Sequence, residues 1–461
     1  MENLGILSVL IPLFIIVMAI ITKDVVVSLI SGIFLGELVI HGFNPLTAII
    51  KLLDGFVGLF AEGWITKTVL FALLVGAIIK LITHSGGVDG FVSYLSNKQK
   101  RIDSPKGALL LAYFLGVVIF IESSITALVA GTVAKPLCDK NGVSREKLAF
   151  VCDSTSAPIC SLIPFNAWGA LLLGLILTSI QSNVITGEAL PLLIESILFN
   201  FYSIIIVIMV LLVIIFDINI GPMRHAKPHP IQSTQDTPNE QPKSPLLMIL
   251  PLLVLIVMVP ISLYYTGNGD ILKGSGSTSV FYAVISSLLF IYVYYILGNH
   301  ITHKKYFSAL YEGISDMIPI VLILLLAFLI GNVIKELGTA TYLSEIMQGN
   351  IPPFLLPFLV FIIASITSFS TGTSWGTFSI MMPIALALST SFNLPIPLMI
   401  GAVISGGIFG DHVSPISDTT IISSMASGCD HIEHVRTQIP YALISALLAS
   451  ILYLIIGWVV V

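Results

Sequence analysis

The chain has 461 residues, of which 56% are hydrophobic and only 10% charged, with a formal net charge of −5. A soluble domain usually carries about 25% charged residues, so this composition excludes a soluble globular protein: it could not cover the surface. The apolar runs are continuous and do not alternate with polar residues, which argues against an outer-membrane barrel, and no basic patch calls for nucleic acid as a partner.

Runs near the roughly 20 residues needed to cross a bilayer recur in chain order. The first, 4–22, lacks a basic leader, and Lys23-Asp24 follows it without a small-residue cleavage pattern, so it reads as a membrane helix and not a removable signal. Further crossings are expected at 25–41, 64–83, 146–180 and 191–216, with a re-entrant hairpin at about 107–136. Residues 217–245 are rich in Pro, Gln, Thr and Ser and read as a polar, cytoplasmic linker. After it the pattern resumes, with crossings at 246–264, 279–297, 314–335, 397–426 and 439–461 and a hairpin at about 352–391.

The two stretches resemble each other. ILSVLIPLFIIVMAII near the start matches LLMILPLLVLIVMVPI after the linker; LLDGF around Gly55 matches LYEGI around Gly313; LLVGAIIK ending at Lys80 matches LIGNVIK ending at Lys335. The pairs Gly55/Gly313 and Gly76/Gly331 have nearly the same separation. The chain therefore divides into repeat 1 (1–216), the linker (217–245) and repeat 2 (246–461). Lys and Arg favour cytoplasmic loops. Lys98, Lys100, Arg101 and Lys106, then Lys140, Arg145 and Lys147, have no basic counterparts in the second half, while Lys304 and Lys305 have none in the first. Equivalent loops thus prefer opposite sides, the mark of inverted repeats. The expectation is an all-α polytopic protein of the inner (cell) membrane, with five crossings and a hairpin per repeat, one crossing broken in each, and both termini external.

Four segments interrupt the apolar pattern: FIESSITALVAG (120–131) and SFSTGTSWGTFS (368–379) in the hairpins, and CDSTSAPICSLIPFNAWG (152–169) and GDHVSPISDTT (410–420) in crossings. Broken helices expose carbonyls and amides that hydrocarbon cannot satisfy, so such backbone belongs where it faces protein or water. Hydroxyls and carboxylates there offer the oxygen ligands a hard cation prefers. The first-half candidates are Glu122, Ser123, Ser124, Thr126, Asp153, Ser154, Thr155, Ser156 and Asn166; in the second, Asp411, Asp418 and Trp375 stand out. An ionisable group at membrane depth is costly and is a functional candidate by default. Asp411 and Asp418 are two helical turns apart, but Pro415 interrupts the helix between them, which leaves them free to serve different sites. A carboxylate that holds Na⁺ when charged and H⁺ when neutral couples the ions by competition. Trp168 and Trp375 could line a pocket or gate or simply pack, His412 reads as a hydrogen-bonded structural residue, Asp54 and Glu312 as members of amphipathic connecting segments, and 431–436 as an inside loop. Cys138, Cys152, Cys160 and Cys429 show no metal-ligand spacing. No H-E-x-x-H or nucleotide-binding motif appears, so neither an enzyme nor ATP-driven transport is expected.

FGDHVSPISDTTIISSMASGCDHIEHVRTQIPYAL (409–443) resembles the signature region of the NhaC-type sodium/proton antiporter family, in the ion-transporter superfamily, and STGTSWGTFSIMMP (370–383) is similar to its upstream motif. The resemblance implies inverted repeats with re-entrant hairpins, a scaffold for homodimerisation, and Na⁺/H⁺ exchange without a cofactor. It implies a site made by Ser370, Thr371, Thr373, Ser374, Asp411, Ser414, Ser417, Asp418 and Thr419. The reading is a secondary active transporter, a Na⁺/H⁺ antiporter working by alternating access, with ions competing at midplane carboxylates and Na⁺ near Asp411 and Asp153. The partners are the lipid bilayer and small ions or a small organic solute. The rival readings are a Na⁺- or H⁺-coupled transporter of an amino acid or small organic acid, and a channel.

Overall fold

The computed structural model describes residues 5–22, 24–87, 90–91, 104–120, 123–164, 166–228, 244–269, 274–338, 342 and 352–460. Among these residues the protein is helical, with short 3-10 turns and no strand. Among the described residues, eight helices are long and apolar enough to cross a membrane.

Caps and prolines punctuate the chain. Helix α1 (Leu7–Thr22) is followed by α2 (Val25–Ile40), whose cap Asp24 accepts from the Val27 amide at 3.0 Å. Helix α3 (Pro45–Gly58) starts with proline in its first turn behind the cap Asn44 and buries only Ala48, so it is an amphipathic connector. Next come α4 (Gly63–His84), α5 (Pro105–Val118) and α6 (Ser123–Lys140). The polar stretch after residue 144 is three pieces, α7 (Arg145–Ser154), α8 (Ala157–Leu162) and α9 (Ala167–Gln181), where one broken crossing was expected. Asn166 starts the third piece by accepting from the Gly169 amide. The expected crossing at 191–216 is likewise two helices, α10 (Ala189–Ile197) and α11 (Phe201–Phe216).

In the second half α12 (Leu246–Thr266) and α13 (Gly276–Leu297) precede α14 (His303–Glu336). Helix α14 starts earlier than the expected 314 because the Thr302 side chain caps it, accepting from the Lys305 amide, so Lys304 and Lys305 sit in its first turn. Helices α15 (Leu356–Thr371) and α16 (Ser374–Ser391) meet at Gly372. That glycine has φ +66, which an L side chain rarely adopts, and a Cβ there would meet the Ile416 backbone. Helix α17 (Ile396–Val413) is separated from α18 (Asp418–Ser427) by an unwound segment. Helix α19 (His431–Val460) corrects the expected inside loop at 431–436: Asp430 accepts from the Glu433 amide at 3.0 Å and starts the helix there, and His434 is fully buried.

Helices α4 and α14 cross at the centre of the protein. A Cβ on Gly76 would strike the Gly313 carbonyl oxygen, and a Cβ on Gly313 would strike that of Gly76, so the two backbones touch. One turn on, Lys80 pairs with Glu312 (2.8 Å) and Asp316 (3.0 Å), and His84 with Glu312 (3.3 Å). The end of α4 therefore lies beside the early turns of α14, and the helices run antiparallel. Glu312 belongs to this continuous helix and not to a connecting segment.

Candidate functional site

The turn at Gly372 places Thr373 as the cap of α16 and Ser374 and Trp375 in its first turn. The unwound segment after α17 is tied to this hairpin, because Ser414 Oγ donates to the Phe369 carbonyl at 2.8 Å. Ser417 caps α18 and contacts Thr419 Oγ1 at 3.0 Å. Ser374 Oγ then donates to Asp411 Oδ2 at 2.8 Å.

A cavity of about 100 Å³ forms where these elements meet. Thr373, Ser374, Trp375, Asp411, Asp418 and Thr419 line it from the second half, Ser123 and Trp168 from the first, and Val75, Ile79, Met317 and Ile323 from α4 and α14. Among the described residues, Asp411 is 2% exposed and its Oδ1 has no hydrogen-bond partner, whereas Asp418 is exposed. The cavity thus runs from a buried carboxylate to one at the surface, and the two acids expected to be free to serve different sites share one space. The carbonyl end of α17 favours a cation here, and the amino ends of α16 and α18 favour an anion. Trp168 is 2% exposed, its indole nitrogen is also without a partner, and its ring meets Trp375 edge-on at 5.7 Å.

The remaining candidates lie elsewhere. Ser370 and Thr371 donate to carbonyls one turn back, those of Ile366 and Thr367, each at 2.9 Å. Thr126 donates to the Ile119 carbonyl, bridging α6 to the end of α5. Ser124 is half-buried in the first turn of α6, and Glu122 lies outside the described residues. Thr155 packs on Gly116, and Ser156 donates to the Asp153 carbonyl. Asn166 acts structurally: besides capping α9 it donates to the Phe120 and Cys160 carbonyls, each at 2.8 Å. Asp153 and Ser154 enter a second buried cluster, which also takes up His412, His434, Gln438, Thr420 and Tyr202. His412 is hydrogen-bonded as expected, between Tyr202 and Ser154. In the sequence His434 reads, with His431, Glu433 and Arg436, as part of an inside loop, and Gln438 does not stand out. The four-residue spacing of His434 and Gln438 on one face of α19 was the available signal, hidden once 431–436 was read as a loop.

A wider cavity of about 680 Å³ is lined by Glu37, His41, Lys51, Asp54, Glu62 and Glu336, among others. Helices α4, α9 and α14 each line this vestibule with one part and the small cavity with another: Trp64 against Val75, Thr178 against Trp168, Phe328 against Met317. The two spaces therefore stack along the helix axes. Aromatic contacts flank both spaces, Trp64 of α4 with Phe328 of α14 at 5.3 Å and Trp168 of α9 with Phe378 of α16 at 5.9 Å.

Comparison with known proteins agrees with this architecture. The YdaH transporter of Alcanivorax borkumensis has a similar fold, with a TM-score of 0.60 at 15% identity, over 90% of this chain and 89% of that one. A Haemophilus influenzae protein described as uncharacterized is 35% identical over 475 residues, spanning 98% of this chain and 91% of the relative. The malate-2H⁺/Na⁺-lactate antiporter of Bacillus subtilis is 34% identical over 158 residues, 34% of each chain. The model of the Na⁺/H⁺ antiporter family matches residues 159–458, and the chain belongs to that family.

Proposed function

We propose that this protein is a Na⁺/H⁺ antiporter of the inner membrane that works by alternating access, with Na⁺ and H⁺ competing for Asp411. The observation that carries the reading is the buried, half-unpartnered Asp411 carboxylate in a cavity built by both halves. An unpaired charge so placed is expensive, and Na⁺ or H⁺ relieves the cost equally well, which makes the two ions exclusive. Ser374 holds the carboxylate, and the hydroxyls of Thr373 and Thr419 supply further oxygens. The stacked vestibule and the exposed Asp418 at the cavity's other end support a state closed on one side and open on the other. Repeats at 1–216 and 246–461, inverted relative to each other and with the equivalent helices α4 and α14 packed antiparallel, with α5–α6 and α15–α16 as re-entrant hairpins, account for that two-sidedness.

The test uses liposomes with an acidic lumen and a trapped pH dye. External Na⁺ alone should alkalinise the lumen; if only an organic solute does so, the exchanger reading is wrong. Ser374→Ala should keep the response but weaken apparent Na⁺ affinity by about tenfold, the scale for losing a partner that orients a ligand.

A second reading, Na⁺-coupled movement of a small carboxylate, is favoured by Trp168. Its buried N–H has no acceptor among the described residues, and a bare cation offers none. If that reading holds, a panel of amino and organic acids will include one that drives the pH change, and Trp168→Phe, which removes the N–H, will weaken that response while sparing the response to Na⁺ alone.

A further inference from the structure

The last turn of α17 carries two consecutive ionisable residues that enter different spaces. Asp411 lines the small cavity, and His412, about 100° further round the helix, joins the second cluster. There Asp153 is 1% exposed. Its Oδ2 accepts from Gln438 Nε2 at 2.7 Å and Thr420 Oγ1 at 3.2 Å and faces His434 Nε2 at 3.4 Å and His412 Nε2 at 3.8 Å. Among the described residues, Asp153 Oδ1 and both ring nitrogens of His434 have no hydrogen-bond partner, Nε2 reaching Asp153 Oδ2 only as a 3.4 Å ion-pair contact. Gln438 also donates to the His412 carbonyl, so both its amide hydrogens are spent, and a neutral donor steadies the Asp153 carboxylate without cancelling its charge.

We propose that Asp153 and His434 form a proton-binding site separate from the cation cavity. The inference rests on the antiport reading for its role in transport, though not for its existence. With the carboxylate ionised and both imidazoles neutral, a buried net charge of one would stand uncompensated, which is costly. One added proton, shared between carboxylate and imidazole, cancels it. The groups around Asp153 are imidazole, amide and hydroxyl from α17, α18 and α19, and H⁺ is the ion that cancels the charge. The groups facing Asp153 are His412 on α17, with Tyr202 of α11 behind it, His434 on α19 and Thr420 on α18. Cys152 adjoins it on α7, near Cys138 and Cys429, and Asp411 lies across α17. Because the cluster joins the broken segments of both halves, its proton is bound or released as those segments separate. Exchange then depends on two protonations, one at Asp411 and one here.

The test follows the full chain in liposomes, reading Na⁺-driven exchange across pH and Na⁺ affinity at alkaline pH. Wild type should show two protonation steps. His434→Gln and Asp153→Asn should each lose one step while retaining alkaline Na⁺ affinity. Two steps in both variants, or loss of alkaline Na⁺ binding in Asp153→Asn, would overturn the proposal. If wild type does not respond to Na⁺, the antiport reading has failed, and the proton site is still read by histidine NMR titration without Na⁺. In that titration the signal absent from His434→Gln should move in Asp153→Asn; a signal that stays put overturns the site.

Discussion

Asp411→Asn is expected to reduce the luminal pH response to Na⁺ to that of empty liposomes. The substitution keeps the side chain's size and leaves an oxygen for the Ser374 hydroxyl, so the hairpin and the end of α17 should stay docked. What it removes is the charge. Without it, the buried end of the cavity would offer Na⁺ only neutral oxygens and H⁺ no basic group, the remaining carboxylate, Asp418, lying at the exposed end. Apparent Na⁺ affinity should fall by about 100-fold or more, at or beyond the upper range for losing a partner that merely orients a ligand. Asp418 cannot substitute, because it is exposed where Asp411 is buried, and Asp418→Asn should be the milder change. Wild-type Na⁺ response in Asp411→Asn would move the ion site away from this cavity.

The second large effect belongs to the scaffold. Gly76→Ala places a methyl on the backbone of Gly313, where no flexible side chain can yield. Helices α4 and α14 must separate, straining the Lys80 pairing with Glu312 and Asp316. Overpacking of this kind costs about 2–3 kcal/mol. Gly313→Ala should cost a similar amount, and the double variant less than the sum, since the first methyl already opens the space that the second needs. Thermal unfolding in detergent reads all three. A wild-type midpoint for Gly76→Ala would mean that the crossing is looser than described.

Much of the fold was legible in the sequence because a membrane leaves few choices. Long apolar runs must be helices, and clusters of Ser, Thr, Gly and Pro inside them must mark interruptions. The breaks beside Asp153, Gly372 and Pro415 were visible for that reason. Helix starts were less legible. Thr302 and Asp430 extend α14 and α19 into stretches whose charges suggested loops, and one side-chain cap outweighs composition over a single turn. The site was half legible. Asp411, Asp418, Ser374 and Trp375 are close in sequence to the interruptions that bring them together. The partition of the carboxylates into two spaces was not, because it depends on which way each faces. Asp153 meets Gln438 from 285 residues away, with His434 one turn before it, and no local pattern encodes that encounter.

The α4–α14 pair also bears on membranes of different thickness. Its glycine contact and its ion pairs fix the two helices along their length as well as across it. Sliding by one helical turn, about 5.4 Å, would lift both glycines out of contact and leave Lys80 beside one carboxylate instead of two. A thinner or thicker lipid layer therefore cannot be met by shortening or lengthening this pair. It is met by tilting the pair as one unit or by deforming the lipid around it, so bilayer thickness acts on the inclination of the whole scaffold that flanks the ion cavity.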